Sequence, residues 1–180
     1  MLALLICLQW VGSMIPEPMT KQLITGSMVN CVLAVAALWV GMGGGLTVAL
    51  ISPVCAFGLG IAPQIITLIP IMAGNAAFVL LLAALVGRKQ QPLWRQWGGL
   101  AAAAVVKFGL LYTLVVKLVC DVLAPELLGQ KLGEYVLLGP KMLLENALPL
   151  MFSWPQLVTA MLGGSLALLI LPVLRKALRK

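Results

Sequence analysis

Long apolar segments, separated by short polar or glycine-rich breaks, dominate the pattern along the chain. Six of them are predicted as helices, at residues 1–15, 22–42, 46–59, 64–86, 98–122 and 154–174. They lack the strict apolar–polar alternation of a half-buried strand. A backbone in lipid must satisfy its own hydrogen bonds, which leaves helices or closed barrels. The pattern therefore predicts an all-α integral membrane protein.

The breaks between the segments set the predicted architecture. Gly43, Gly44 and Gly45 predict a tight, uncharged reversal after the second segment, and residues 123–153 form the only long connection. The first segment is short against the roughly 17–25 residues expected of a span. It has neither a basic start nor a clear small-residue cleavage site, so we expect a first span rather than a signal peptide.

The composition excludes a water-soluble domain. Hydrophobic residues make up 62% of the 180 residues and charged residues 9%, with a mean hydropathy of +1.11. Soluble domains carry about 25% charged residues. At ~20 residues per crossing plus short connections, about six spans is the most that the chain can hold. We therefore expect one domain, residues 1–180, of six transmembrane helices.

The distribution of charge predicts the orientation of these spans. Seven basic residues fall on the side of the two termini: Arg88, Lys89, Arg95, Arg175, Lys176, Arg179 and Lys180. Three fall on the opposite side: Lys21, Lys131 and Lys141. Because loops rich in Lys and Arg stay in the cytoplasm, both termini are predicted to be cytoplasmic. No basic cluster is interleaved with aromatic residues as nucleic-acid binding requires.

Polar residues inside the spans are the first candidates for function. Lys107 lies about ten residues into the fifth segment, ~15 Å deep at 1.5 Å per residue. Asn75 lies at a similar depth when counted from the other side, and Asn30 lies in the outer part of the second segment. An ammonium and a carboxamide at one level predict the floor of a ligand pocket. The alternative is that Lys107 snorkels and that the asparagines link helices.

Three residues nearer the outer surface are weaker candidates for the same pocket. Tyr112 can reach a pocket edge, although anchoring at the interface is the usual role of tyrosine. Trp154 and Gln156 open the last segment directly after the long connection. The predicted substrate-binding set is thus Asn75, Lys107, Asn30, Tyr112, Trp154 and Gln156.

Small residues recur at four-residue spacing in two segments. The pairs are Ala37 with Gly41, Ala160 with Gly164, and Gly163 with Ala167. Such spacing permits close approach of two helices. It predicts either packing inside the bundle or a docking face for another protein, and we take these six residues as a candidate partner interface.

No catalytic constellation is present. The chain has no histidine, no phosphate-binding G-x-x-x-x-G-K-[ST] loop and no nucleophile with a histidine partner. Its four cysteines, Cys7, Cys31, Cys55 and Cys120, lie singly in apolar stretches and are expected to be small buried hydrophobes. A protein that is not an enzyme, with no metal or cofactor of its own, is the expectation.

The layout resembles the substrate-binding S component of energy-coupling factor (ECF) transporters. The block FSWPQLVTAMLGGSLALLILPVLRKAL carries most of the likeness. The other blocks are Ile24–Gly41, Leu46–Gln64, Ile69–Leu81 and Ala103–Val119. Together these blocks span most of the chain.

This resemblance implies a fold, partners and a location. The fold is a six-helix bundle with a pocket open to the outside, roofed by residues 16–25, 58–63 and 123–153. The partners are a membrane-embedded T component and two ATP-binding-cassette ATPases, which bind the ATP. The location is the cytoplasmic membrane of a prokaryote, and the substrate is a vitamin or a related small organic micronutrient.

Other functions remain open at the level of the sequence. Lys107 favours a ligand with an anionic or strongly hydrogen-bonding group, and a metal ion is disfavoured because the spans lack histidine and carboxylate ligands. The main alternative is a stand-alone membrane channel or carrier subunit, for which inverted repeats or a polar stripe along several spans would be expected.

Overall fold

The fold is a bundle of apolar helices. The structure is a computed structural model, and it describes residues 1–61, 64–87, 91–123 and 148–177 together with the backbone of 131–132 and 135–136. The main helices are α1 (Leu2–Ser13), α2 (Pro18–Val35, continued as a π-helix over Ala36–Val40), α3 (Met42–Gly58), α4 (a 3₁₀ turn, Ile65–Thr67, then Leu68–Leu85), α5 (Leu93–Leu111, continued as a π-helix over Tyr112–Leu123) and α7 (Trp154–Ala177). A single turn, α6 (Leu148–Met151), precedes α7. A short antiparallel pair joins β1 (Lys131–Leu132) to β2 (Tyr135–Val136).

Helix length and apolarity fit a bilayer. Within the described ranges, four helical segments are long and apolar enough to cross a membrane: Pro18–Val40, Ile65–Leu85, Leu93–Leu123 and Leu148–Ala177. The segments Leu2–Ser13 and Met42–Gly58 are apolar but shorter. Large apolar side chains such as Ile69, Leu93 and Val173 are exposed on the outside of the bundle, as expected where lipid replaces water. The predicted helical class is confirmed, and four of the six predicted spans are long and apolar enough to cross a membrane.

The connection between α1 and α2 shows why α2 begins before the predicted residue 22. Glu17 is the N-cap of α2, and its carboxylate accepts hydrogen bonds from the backbone N–H groups of Met19 (2.9 Å) and Thr20 (2.5 Å). Pro18, at the first helical position, has no N–H to satisfy. Hydrogen bonding to Thr20 and Met19 lowers the pKa of Glu17. The sequence PEP is therefore a helix start rather than a loop.

The reversal between α2 and α3 takes place at a single residue. Gly41 has φ 112°, in the left-handed region that favours glycine, and α3 begins at Met42. The predicted reversal over Gly43, Gly44 and Gly45 is wrong, because all three belong to the first turn of α3. Gly45 has a packing role: a Cβ there would lie 3.0 Å from the Cα of Ala37.

The small residues of α7 allow it to pack closely on α2 and α5. A Cβ on Gly163 would lie 2.2 Å from the carbonyl oxygen of Ser27, and one on Gly164 would lie 2.1 Å from Cδ1 of Leu100. The six small residues named above are all buried within the chain: Ala37, Gly41, Ala160, Gly163, Gly164 and Ala167. Internal packing therefore accounts for their size, and their buried positions do not favour the predicted partner interface.

Candidate functional site

A cavity of about 360 Å³ opens where the C-terminal ends of α1 and α3 meet the N-terminal ends of α2, α4 and α7. Pro16 and Pro18, which are exposed, line one part of it, while Asn75 and Lys107, which are buried, line another. The cavity therefore runs from the surface into the bundle. Most of its remaining wall is apolar, with Ile71 and Leu111 as examples.

The cavity's deepest polar group is the ammonium of Lys107. Its Nζ donates to Oδ1 of Asn30 at 2.5 Å and to Oδ1 of Asn75 at 2.7 Å. The side chain is 3% exposed, and Nζ lies 5.4 Å from the ring centroid of Phe78. Helices α5, α2 and α4 thus each contribute one member of a Lys–Asn–Asn cluster, with the face of an α4 phenyl ring beside the cation.

A chain of hydrogen bonds from α7 orients one of the two amides. Nδ2 of Asn30 donates to Oγ1 of Thr159 (3.3 Å), whose hydroxyl donates to the carbonyl oxygen of Gln156 (3.2 Å). Nε2 of Gln156 in turn donates to the carbonyl oxygen of Met151 (3.0 Å). Because the amide N–H of Asn30 is occupied in this way, its oxygen faces Lys107. Contacts behind Asn30, with Thr159 and Gln156, therefore hold the cluster in place before any ligand binds.

Lys107 keeps hydrogen-bonding capacity that the described residues do not use. An ammonium has three N–H donors, and two of them meet Asn30 and Asn75. Both partners are neutral, and no Asp or Glu belongs to the described residues that line the cavity. A cation in the membrane interior without an acidic partner is costly, at least ~2.5 kcal/mol on insertion scales. The arrangement fits a site whose missing acceptor comes from a ligand.

The structure brings together four of the six predicted substrate-binding residues. Asn30, Asn75, Lys107 and Gln156 all line the cavity. Tyr112 does not line it: its ring lies 5.9 Å from that of Phe108. The reason is rotational, because five residues turn a helix by about 140° and carry Tyr112 away from the face of Lys107.

Trp154 does not line the cavity either. Its side chain is 50% exposed at the start of α7, where an indole suits a membrane interface. Trp154 was predicted to line the pocket because it follows the long connection. Its position along the chain does not determine the direction in which its side chain points.

Several cavity residues were missed by sequence reasoning. Thr159 is fully buried and accepts a hydrogen bond from the amide of Asn30. A threonine in an apolar helix does not by itself indicate a binding site in the sequence. Lys21, Gln22 and Thr25 line the cavity from the first two turns of α2. The resemblance placed residues 16–25 in a loop above the pocket, and the helix predicted from residue 22 began too late to include Lys21. The start signal at Glu17 would have placed them on a helix.

Metal-binding groups are not gathered at this site. Among the described residues, no group of three or more His, Cys, Asp or Glu side chains could hold a metal ion. The four cysteines are free, and the expectation that they are buried is wrong: Cys7 is exposed, and Cys31, Cys55 and Cys120 are half-buried. Lys117 forms an exposed ion pair with Asp121 at 3.2 Å, one turn along α5, away from the cavity.

The fold and site together define a helical protein suited to a membrane, with a polar cluster at the inner end of a mostly apolar cavity. No family model, curated protein or solved structure matches the chain in comparisons with known proteins.

Proposed function

We propose that the chain is the substrate-binding S component of an ECF-type transporter, and that it receives a small organic micronutrient in the cavity described above. The observation that carries the proposal is Lys107, which lines the cavity, donates to two neutral amides and has one N–H donor that no described residue uses. Ligand pockets combine apolar walls with a few convergent polar groups in this manner. The sequence blocks that resemble S components supply the family.

The proposed topology has six crossings, with both termini in the cytoplasm of a prokaryote. The α1–α2 connection, the end of α3 and the start of α7 meet at the cavity, so one end of the bundle carries the binding site. Arg95 and Arg175 belong to the segment ends away from it. The other basic residues counted at that end, Arg88, Lys89, Arg179 and Lys180, lie outside the described residues. A cavity that opens outward suits capture of a solute from outside the cell.

The proposed partners are a membrane-embedded T component and two ATP-binding-cassette ATPases. The sequence has no phosphate-binding loop, so a transporter built on it needs ATP hydrolysis from other subunits. Transport would then require both this chain and its partners, while ligand binding would require this chain alone.

Co-purification from membranes of the native host tests the assignment to a transporter complex. A tagged chain solubilised in mild detergent is expected to recover one further membrane protein and an ATPase pair, identified by mass spectrometry. The control is an unrelated tagged membrane protein of similar size. Recovery of a self-associated chain without any ATPase would contradict the assignment and favour the alternative, a stand-alone channel or carrier subunit.

A further inference from the structure

We propose that the ligand of this cavity is an amphiphilic carboxylic acid, bound as the carboxylate anion. Its carboxylate accepts a hydrogen bond from the unused N–H of Lys107, and its apolar body packs against the walls. The inference deepens the proposed function, because it takes the cavity to be the substrate site and names the substrate class. It rests on charge, on the hydrogen-bond inventory and on size.

The charges on the described wall of the cavity favour an anionic ligand. The charged side chains on the described wall of the cavity are those of Lys21 and Lys107, and both are cationic. The acid next to this wall in the sequence is Glu17, whose carboxylate is occupied by the N-terminus of α2. Asp121 on α5 is paired with Lys117. From the described residues of the wall, an incoming carboxylate would therefore meet net positive charge, and it would supply the counter-charge that they do not give Lys107.

The hydrogen-bond inventory favours one acidic group over several polar ones. The side-chain amides of Gln22 and Gln156 both donate to the carbonyl oxygen of Met151, at 3.5 and 3.0 Å. The amide of Asn30 donates to Thr159. Gln9 Oε1 and Thr25 Oγ1 lie on the described wall without a hydrogen-bond partner, but Oε1 can only accept and Thr25 offers a single hydroxyl. A sugar or a phosphate dianion needs several partners. One charged contact and an apolar body match what the cavity offers.

The volume of the cavity limits the size of the acid. At about 360 Å³ the cavity lies at the lower end of the roughly 300–1,000 Å³ range of small-molecule pockets. A short or medium-chain acid, or an aromatic acid with one or two rings, fits this space. A long-chain fatty acid drawn from the surrounding lipid has the same chemistry, and the test below separates this source from a small solute.

The test compares acids with their own amides on the purified chain in detergent. Probes are octanoate and octanamide, 3-phenylpropionate and its amide, and indole-3-acetate and its amide, with palmitate to represent a lipid source. We expect at least one short acid to raise the melting temperature in a saturable manner, its amide to have little effect, and palmitate to have none. A panel in which no acid stabilises the chain more than its amide overturns the proposal. Stabilisation by palmitate alone overturns the assignment to a small solute.

Two variants separate the role of Lys107 from a loss of folding. In Asn75→Asp the new carboxylate lies where the amide oxygen now accepts from Lys107, so it neutralises the cation with almost no change in shape. In Lys107→Met the charge is removed. Both are expected to weaken binding of the acid by roughly 30-fold or more, as loss of a buried charge contact does.

The matched controls make the same chemical changes away from the cavity. Gln96→Glu converts an amide to an acid near the start of α5, and Lys117→Met removes an exposed lysine. Both are expected to bind the acid as the wild type does. Unchanged affinity in Asn75→Asp and Lys107→Met would overturn the role of Lys107. None of these results depends on the ATPases, so a wrong ligand class and a wrong transporter assignment are distinguishable.

Discussion

Lys107 exchanges the hydration of an ammonium for two amide oxygens and the face of a phenyl ring. Sequence alone predicted its depth and that of Asn75, because 1.5 Å per residue converts position along a helix into distance across a bilayer. It could not predict rotation about the helix axis, which separates Lys107 from Tyr112. Thr159 escaped notice because only its contact with Asn30 distinguishes it from other helical threonines.

The first prediction concerns the cost of Lys107 in the absence of ligand. Lys107→Met removes a buried cation that has no acidic partner among the described residues, so an insertion cost of at least ~2.5 kcal/mol disappears. This gain offsets the loss of a donor at the amide oxygens of Asn30 and Asn75, which costs about 1–3 kcal/mol each if they stay unpaired. We expect the melting temperature of the ligand-free protein in detergent to stay the same or to rise, with Lys117→Met as control. A fall of several degrees in Lys107→Met alone would mean that the lysine holds the bundle together and does not await a ligand.

A second prediction follows from the N-cap of α2. Hydrogen bonding from Thr20 and Met19 lowers the pKa of Glu17 in the folded protein. Since the folded pKa lies below the unfolded one, the stabilisation is complete above the ordinary glutamate pKa and is lost as the pH falls through the folded value. Glu17→Gln is expected to lower the melting temperature slightly at neutral pH, with the difference from wild type vanishing in acid. A difference that is the same at both pH values would refute this role of the charge.

At the scale of elements, apolar length predicted where helices lie, but not how they begin or meet. Predicted and observed bounds agree within about five residues, and the largest shifts fall at the helix starts Pro18, Met42 and Leu93. At Pro18 and Leu93, polar residues start a helix that hydropathy alone places later. The reversal was assigned to the glycine triplet because glycine marks turns. Only the backbone shows that Gly41 makes the turn and that Gly45 packs.

Helix contact through Gly163 gives the third prediction. A Cβ there would lie 2.2 Å from the carbonyl oxygen of Ser27 and 2.7 Å from the backbone nitrogen of Cys31, so α2 and α7 must separate. Gly163→Ala is expected to destabilise the protein by about 1–3 kcal/mol, as overpacking of a well-packed interior does. Gly98→Ala is the control, because a Cβ at Gly98 meets nothing within 4 Å. Equal unfolding of the two variants in a denaturant titration would exclude close α2–α7 packing.

At the scale of the whole molecule, the count of basic residues predicted the orientation of the bundle in the membrane. One cavity is lined by the connections at Pro16 and Ile61 and by the start of α7. Hydropathy does not predict this arrangement, because it depends on which helices are neighbours. Residues 124–130, 133–134 and 137–147 of the long predicted connection lie outside the described residues. The class of protein was thus predictable from composition, whereas the shape of its site was not.

The orientation yields the fourth prediction. Glu17 is exposed near the cavity and Trp94 is exposed at the start of α5. In a background without the four native cysteines, a membrane-impermeant thiol reagent added to intact cells is expected to label Glu17→Cys and not Trp94→Cys. Opening the cells should allow both to react. Labelling of Trp94→Cys alone in intact cells would reverse the orientation, and the cavity would then face the cytoplasm.

Native mass spectrometry of the purified chain tests most directly whether the cavity is a ligand site built on Lys107. Wild-type protein and the Lys107→Met and Lys117→Met variants would each be incubated with the small-molecule fraction of the host's growth medium and sprayed from detergent. The expected result is a discrete bound mass on the wild type and on Lys117→Met, and its absence on Lys107→Met. The same bound mass on all three proteins, or none on the wild type, would contradict a Lys107-centred binding site.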